Sequence, residues 1–335
     1  MKTSRSLLPV VAAVLLAAIP LARGQAPMRP TQAQVDAHVA EATRLAGTDL
    51  KALLGLCNPP AATRPPQDVV DRSIATQIAR PPPEPGKAFD NLYYVGAAWA
   101  SAWAIDTAEG VILIDALNNP LEAGSLIEGG MRKFSLDPQQ IKYIVITHGH
   151  GDHYGGANYL VERHKSRVVM SEADWKMTSG KLEFASVHWG APPKRDLGVK
   201  DRDWIALGGT RVTFYETPGH TLGTISPVFE VKDGARTHRA MLWGGTAFNF
   251  GKDFERLDKY IAATKRMVEI AQQQQVDVLI SNHPGLDGTI DKLEALRKRG
   301  AADAHPFVMG TPNVVRALTV MGTCAQATRD RYGMS

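Results

Sequence analysis

The run ITHGHGDHYGG, residues 146–156, places His148, His150, Asp152 and His153 within six positions, among four glycines. Imidazole nitrogen and carboxylate oxygen are the donors that borderline divalent metals such as zinc favour. His148 and His150 are two residues apart, so on an extended segment both point the same way. Gly149 and Gly151 let the backbone fold tightly, which brings Asp152 and His153 round to join them. Two further histidines have a similar setting: His220 follows VTFYET through a Pro-Gly turn, and His283 comes straight after VDVLISN. All five histidines fall at strand-to-loop junctions, where ligand sites of layered α/β folds gather. A lone histidine at such a place is more often structural. Five of the chain's ten, with an aspartate in the tightest cluster, point to a metal centre with donors enough for two ions.

The other five histidines lack that context. His38 lies in a helical stretch, His164 at a helix end, His238 in a polar turn, and His188 and His305 in loop-like segments. Surface or packing duty is expected for them, with His188 and its neighbour Trp189 held as substrate-side candidates. Asp115, which ends the strand-like GVILID, is placed either to orient an imidazole of the cluster or simply to cap a turn. Tyr154, Trp189 and Phe248 could wall a pocket, although core packing is the commoner role of an aromatic residue.

The elements that must position these groups begin at about Leu92. LYYVG, SAWAID and GVILIDAL read as successive strands; a helical stretch LEAGSLIEGGMRKF follows, then the strand IKYIVIT, which runs into the cluster. GGANYLVERH reads as the next helix and SRVVMS as the next strand. A second series repeats this order: strands TRVTFYETPG, TISPVFEV and HRAMLWGG, a long helix from Phe254, the strand VDVLISNH, and the helix TIDKLEALRKRGA. Alternating strands and helices in two comparable halves predict a layered α/β architecture with helices covering sheets. A last helix, PNVVRALTVMGTCAQATRDRY, is expected to pack back onto the domain. Residues 25–90 read as a helical segment followed by Pro-rich stretches that deny regular structure, an N-terminal strap over a larger domain at 91–335.

The N-terminus has a different character. Lys2 and Arg5 precede the apolar run LLPVVAAVLLAAIPLA, and Ala22 and Gly24 supply the small residues of a cleavage site. Residues 1–24 therefore read as a secretory signal peptide, which predicts a periplasmic or secreted protein with no membrane association after cleavage. Lys2, Arg5 and Arg23 account for three of the net +4 charges, so the remainder is close to neutral and offers no basic face for nucleic acid. The two cysteines, Cys57 and Cys324, lie too far apart in sequence to form a zinc knuckle. In an oxidising compartment a disulfide between them is favoured over two separate buried thiols.

Taken in order, HGHGDH, PGHT and SNHP resemble the metallo-β-lactamase superfamily, over a span from about Leu92 to Arg299. That resemblance implies a four-layer αβ/βα sandwich with two zinc ions at the seam of its halves. By motif, His148, His150 and His220 resemble the ligands of the first zinc, and Asp152, His153 and His283 those of the second. Glyoxalase II, lactonase and nuclease branches generally add an aspartate after the next strand that bridges both metals. Here that strand reads AMLWGGTAFNF, with Gly245 and Thr246 at the corresponding positions. Absence of that aspartate, together with the Asp152-His153 pair, most resembles the subclass B3 metallo-β-lactamases.

The resemblance implies an exported zinc-dependent β-lactamase, active as a monomer on small β-lactam antibiotics and conferring resistance to them. Zinc lowers the pKa of its bound water from about 15.7 to roughly 7, so hydroxide is available to attack the lactam carbonyl without a strong base. Asp152 would orient it. The usual serine contacts for the drug carboxylate have no clear equivalent; Thr246 and Asn249 are the nearest polar candidates, beside His188. A same-fold zinc hydrolase acting on lactones or other cyclic esters or phosphoesters is the alternative.

Overall fold

In the computed structural model, which describes residues 29–300 and 302–334, the short β-runs assemble into two sheets. The first holds β1 (Gly86–Phe89), β2 (Leu92–Tyr94), β3 (Trp103–Thr107), β4 (Gly110–Ile114), β5 (Ile141–Val145), β6 (Arg167–Ser171) and β7 (Leu197–Val199), in that spatial order. Its first four strands pair antiparallel, and β5 to β7 are added in parallel. The second sheet holds β8 (Trp204–Leu207), β9 (Thr210–Glu216), β10 (Ile225–Asp233), β11 (Arg236–Trp243) and β12 (Val278–Ser281), antiparallel except for the β11–β12 pair.

Strand alternation sets the layers. On β4, Ile112 and Ile114 enter a core between the sheets with Val145, Phe214 and Leu242, whereas Val111 and Leu113 face outward against Ile127, Met131 and Leu160. On the second sheet, Met241, Trp243 and Leu279 turn outward and pack on the helices Phe254–Gln273 and Thr311–Met334. The result is helix, sheet, sheet, helix: the four-layer sandwich expected from the sequence.

The N-terminal segment is more ordered than its composition suggests. The helix Gln32–Ala46 starts with a capping box between Thr31 and Gln34 and lies along Thr311–Met334. A disulfide joins Cys57, in the 3₁₀ turn Lys51–Cys57, to Cys324 in that last helix. The Pro-rich stretch, expected to be irregular, contains the helix Gln67–Ile78. Pro65 and Pro66 precede its first turn, where a missing N–H costs no intrahelical bond, so they set the start of the helix instead of preventing it. The first sheet also begins before residue 91, since Gly86–Phe89 already pairs with β2. The expected leader, residues 1–24, lies outside the described residues. Among the described residues no helix is long and apolar enough to cross a membrane.

Candidate metal centre

Five strands deliver the site at their C-terminal ends: β4 leads into Asp115, β5 into 148–153, β9 into His220, β11 into 244–247 and β12 into His283. His148 Nε2 lies 3.0 Å from His150 Nδ1 and 3.0 Å from His220 Nε2. The outer nitrogens are tied back: His148 Nδ1 is 2.8 Å from the Gly244 carbonyl and His220 Nδ1 is 2.7 Å from that of Ala247. A neutral imidazole carries one N–H, and each carbonyl claims it, so the inner nitrogens converge with their lone pairs. Lone pairs 3.0 Å apart in a buried pocket repel unless a cation lies between them, and this donor set fits a divalent metal.

Beside it, His153 gives its Nδ1 to Asp115 Oδ2 at 2.8 Å, while its buried Nε2 has no hydrogen-bond partner among the described residues and sits 3.3 Å from Asp152 Oδ2. His283 Nδ1 is 2.5 Å from the Trp99 carbonyl, with Nε2 turned to within 3.7 Å of the same Asp152 oxygen. Two overlapping groups, His148–His150–His220 and His148–Asp152–His153, have donor atoms close enough to hold an ion. The structure thus brings together all six residues singled out as ligands.

Three buried polar residues fix the loops. Asp115, at φ 61°, accepts from the Thr147 N–H at 2.8 Å and its hydroxyl at 2.9 Å as well as from His153, so of its two expected roles the orienting one is realised. Asp174 accepts from the Gly149 N–H, the Thr221 hydroxyl and the Gly223 N–H, joining the loops of His148 and His220. Asn282 donates to the Gly244 carbonyl at 2.6 Å, beside His148. Sequence reasoning missed Asp174 and Asn282, which lack any distinguishing spacing. Gly149 and Gly151 do not take positive φ as a tight fold would suggest. At Gly151 the requirement is room, because a Cβ there would meet the Trp189 ring at 2.3 Å.

Burial, reinforced by the neighbouring imidazoles, holds His148 and His220 well below the ordinary histidine range, which keeps both neutral. Burial alone would raise Asp152, but His153, His283 and His150 outweigh it and hold the carboxyl below its usual range. Burial likewise opposes the charge on His153, yet Asp152 and Asp115 push it up to about 10.

His150, Asp152, His220 and His283 open into a cavity of about 690 Å³. Its walls are largely apolar: Val69, Val70 and Ile74 of the helix Gln67–Ile78 face Trp99, Phe184 and Trp189. Trp189 is held by a 2.9 Å hydrogen bond from its Nε1 to Asn118. Asn249 lines the cavity. Thr246 does not. Gly245 lies against His220, so the next side chain projects the opposite way, where Thr246 is buried in a separate cavity with Trp243 and Asp287. His188 is not among the lining residues either; its carbonyl accepts from Asn119. Tyr154 and Phe248 belong to the packed cores. The wall supplied by residues 69–74 escaped sequence reasoning because that helix was hidden by its flanking prolines.

With fold and site in view, residues 100–235, which run from just before β3 through β10 and include all the cluster but His283, match the model of the metallo-beta-lactamase superfamily. The structure is similar to BJP-1, a subclass B3 metallo-beta-lactamase of Bradyrhizobium japonicum, with TM-score 0.63 and 27% identity over 72% of this chain and 92% of that one. It is also similar in fold to the FEZ-1 metallo-beta-lactamase from Legionella gormanii, with TM-score 0.60 and 21% identity over 75% of this chain and 94% of that one. By sequence it resembles a hydroxyacylglutathione hydrolase of Rhodopseudomonas palustris (strain BisB5), 33% identical over 108 residues, or 32% of this chain. The chain spans about a third (34%) of that relative's length. One from Methylococcus capsulatus (strain ATCC 33009 / NCIMB 11132 / Bath) is 27% identical over 203 residues, 55% of this chain and 69% of its own.

Proposed function

We propose that this protein is an exported dizinc β-lactamase that adds water across the amide bond of β-lactam antibiotics. The carrying observation is the closed position after β11. A Cβ on Gly245 would meet His220 Cβ at 2.7 Å, so no carboxylate can stand there to bridge two metals without displacing a ligand-type histidine. His148, His150 and His220 would hold one zinc, and Asp152, His153 and His283 the other. A metal pair there supplies Lewis acidity and a nucleophile at neutral pH. The protein's own part is orientation. Asp152, ionised and facing the cavity, would orient the attacking oxygen toward the lactam carbonyl by accepting a hydrogen bond from it. Trp99, Trp189 and the Val69–Ile74 wall would accept apolar substituents, and Arg80 and Asn249, which line the same cavity, would take the drug carboxylate. Similarity to the Bradyrhizobium enzyme supports this reading, and the Cys57–Cys324 bridge supports export.

The competing reading is an ester or thioester hydrolase of the same fold, favoured by the sequence similarity to hydroxyacylglutathione hydrolases. Purified mature protein should hydrolyse a chromogenic cephalosporin, lose that activity to a chelator, and contain close to two zincs per chain. Bound zinc with turnover of thioesters or lactones and none of cephalosporins would transfer the assignment to the competing reading.

A further inference from the structure

Four of the five histidines give their outer nitrogen to a fixed acceptor: a carbonyl for His148, His220 and His283, and Asp115 for His153. His150 differs. Its Nδ1 faces inward to His148, and its buried outer Nε2 has no hydrogen-bond partner among the described residues. The polar atom facing it is Glu183 Oε2 at 3.6 Å, an ion-pair contact longer than a formed hydrogen bond.

Glu183 is fastened from the other side. Arg64 donates to Oε1 at 2.7 Å and also to the Glu183 carbonyl, and Arg256 donates to the same Oε1. Both guanidinium groups use Oε1, which leaves Oε2 free for the imidazole. Arg256 further donates from Nε to the carbonyl of Gly219 at 2.8 Å, the residue before His220, so one side chain ties both loops. Phe184 sets its ring edge-on to His150, 4.8 Å away, under the Arg64 guanidinium at 4.0 Å.

We propose that Glu183 is a positioning residue of the metal centre: its Oε2 holds the His150 proton on Nε2, so that Nδ1 presents a lone pair beside His148 and His220. A carboxylate behind a ligating imidazole fixes its tautomer and raises its basicity. Arg64 and Arg256 hold Glu183 in place, and Arg64 thereby couples the N-terminal segment, which carries the cavity wall, to the centre. This inference rests on the reading of the cluster as a metal site.

The test is cobalt(II) binding, competed by a chelator of known affinity, on full-length mature protein and on Glu183→Gln. The expected result is affinity about ten- to hundred-fold weaker at one of the two positions only, with the other position at wild-type affinity. Wild-type affinity in the variant, or an equal loss at both positions, overturns the proposal while the metal reading stands. Failure of the wild-type protein to bind cobalt overturns both. Should Glu183→Gln not fold, long-range ¹H–¹⁵N spectra of the zinc-loaded wild type decide instead. A proton on His150 Nε2 with Nδ1 coordinated supports the proposal, and coordination through Nε2 ends it.

Discussion

Breaking the Cys57–Cys324 bridge, in the double variant Cys57→Ala/Cys324→Ala, isolates what holds the N-terminal segment to the domain. The bridge closes a loop with a sequence separation of 267. Restriction of the unfolded chain by a loop of that length is worth about 5.5 kcal/mol at 25 °C in the chain-entropy account, and native bridges typically deliver about 2–4 kcal/mol. Over the roughly 300 residues that unfold, an entropy near 2.1 cal/mol/K per residue converts about 2–5.5 kcal/mol into a Tm loss of about 3–9 °C. The folded state should change little, because the segment keeps other anchors: Arg316 reaches the Leu45 carbonyl and Asp49, and His38 lies 3.2 Å from Asp330. Turnover below the transition should therefore stay within about twofold of wild type. Differential scanning calorimetry at fixed free metal measures the first effect and initial rates the second. The single variant Cys57→Ala, equally unbridged but retaining one sulfur, separates the cross-link from the small cavity that truncation leaves. A Tm within 1 °C of wild type in both variants would refute the argument, because the N-terminal segment would then contribute no cooperative stability.

Asp115→Asn removes the charge that receives His153 Nδ1 and the Thr147 hydroxyl, and about ten- to hundred-fold weaker metal binding is expected at the Asp152–His153–His283 position, read by equilibrium dialysis. Gly245→Asp drives its Cβ against His220, so metal content should fall toward one ion per chain by elemental analysis, with no gain of thioesterase activity. Glu128 is raised by burial but held below the usual carboxylate range by Arg132, His164 and Arg163. A depressed folded pKa means stability present above the unfolded value of about 4.3 and lost as pH falls through the folded value. Thermal melts should therefore show Glu128→Gln less stable than wild type at neutral pH, with the gap narrowing below about pH 4; a gap that does not depend on pH contradicts the assignment.

What could be read from the sequence divides by range. GVILI and IKYIV announce strands because their apolar residues serve two faces at once, and the histidines announce themselves because strand ends are where a sheet presents side chains to a cleft. The helix Gln67–Ile78 was hidden because prolines in composition argue for irregularity, whereas their position before a first turn argues for a helix start. Thr246 went wrong by a single residue of extended chain: proximity to the motif was legible, but the side to which the residue points depends on Gly245 packing on His220. Asp174, Asn282 and Glu183 could not be found at all. Each acts across a long gap, such as the 32 or more residues between Glu183 and its partners His150 and Arg256, and no local pattern encodes such a contact.

The donor set itself bears on the choice between substrates. Five imidazoles and a single carboxylate, Asp152, converge on the centre, and Gly245 denies it a second bridging charge. Any pair of divalent ions held there keeps more uncompensated positive charge than one shared with a bridging aspartate. Behind them, Asp115 faces the outer nitrogen of His153, whereas the Glu183 carboxylate behind His150 is already paired with Arg64 and Arg256. With two divalent ions bound, the cavity face would present excess positive charge within an apolar wall, and an electropositive, poorly hydrated site favours substrates that bring an anion close to the scissile bond. A fused lactam with a ring carboxylate beside its amide has that shape. An extended thioester, whose carboxylates lie far from the reacting carbonyl, would gain less from such a centre, and this difference supports the proposed lactamase reading against the thioesterase one.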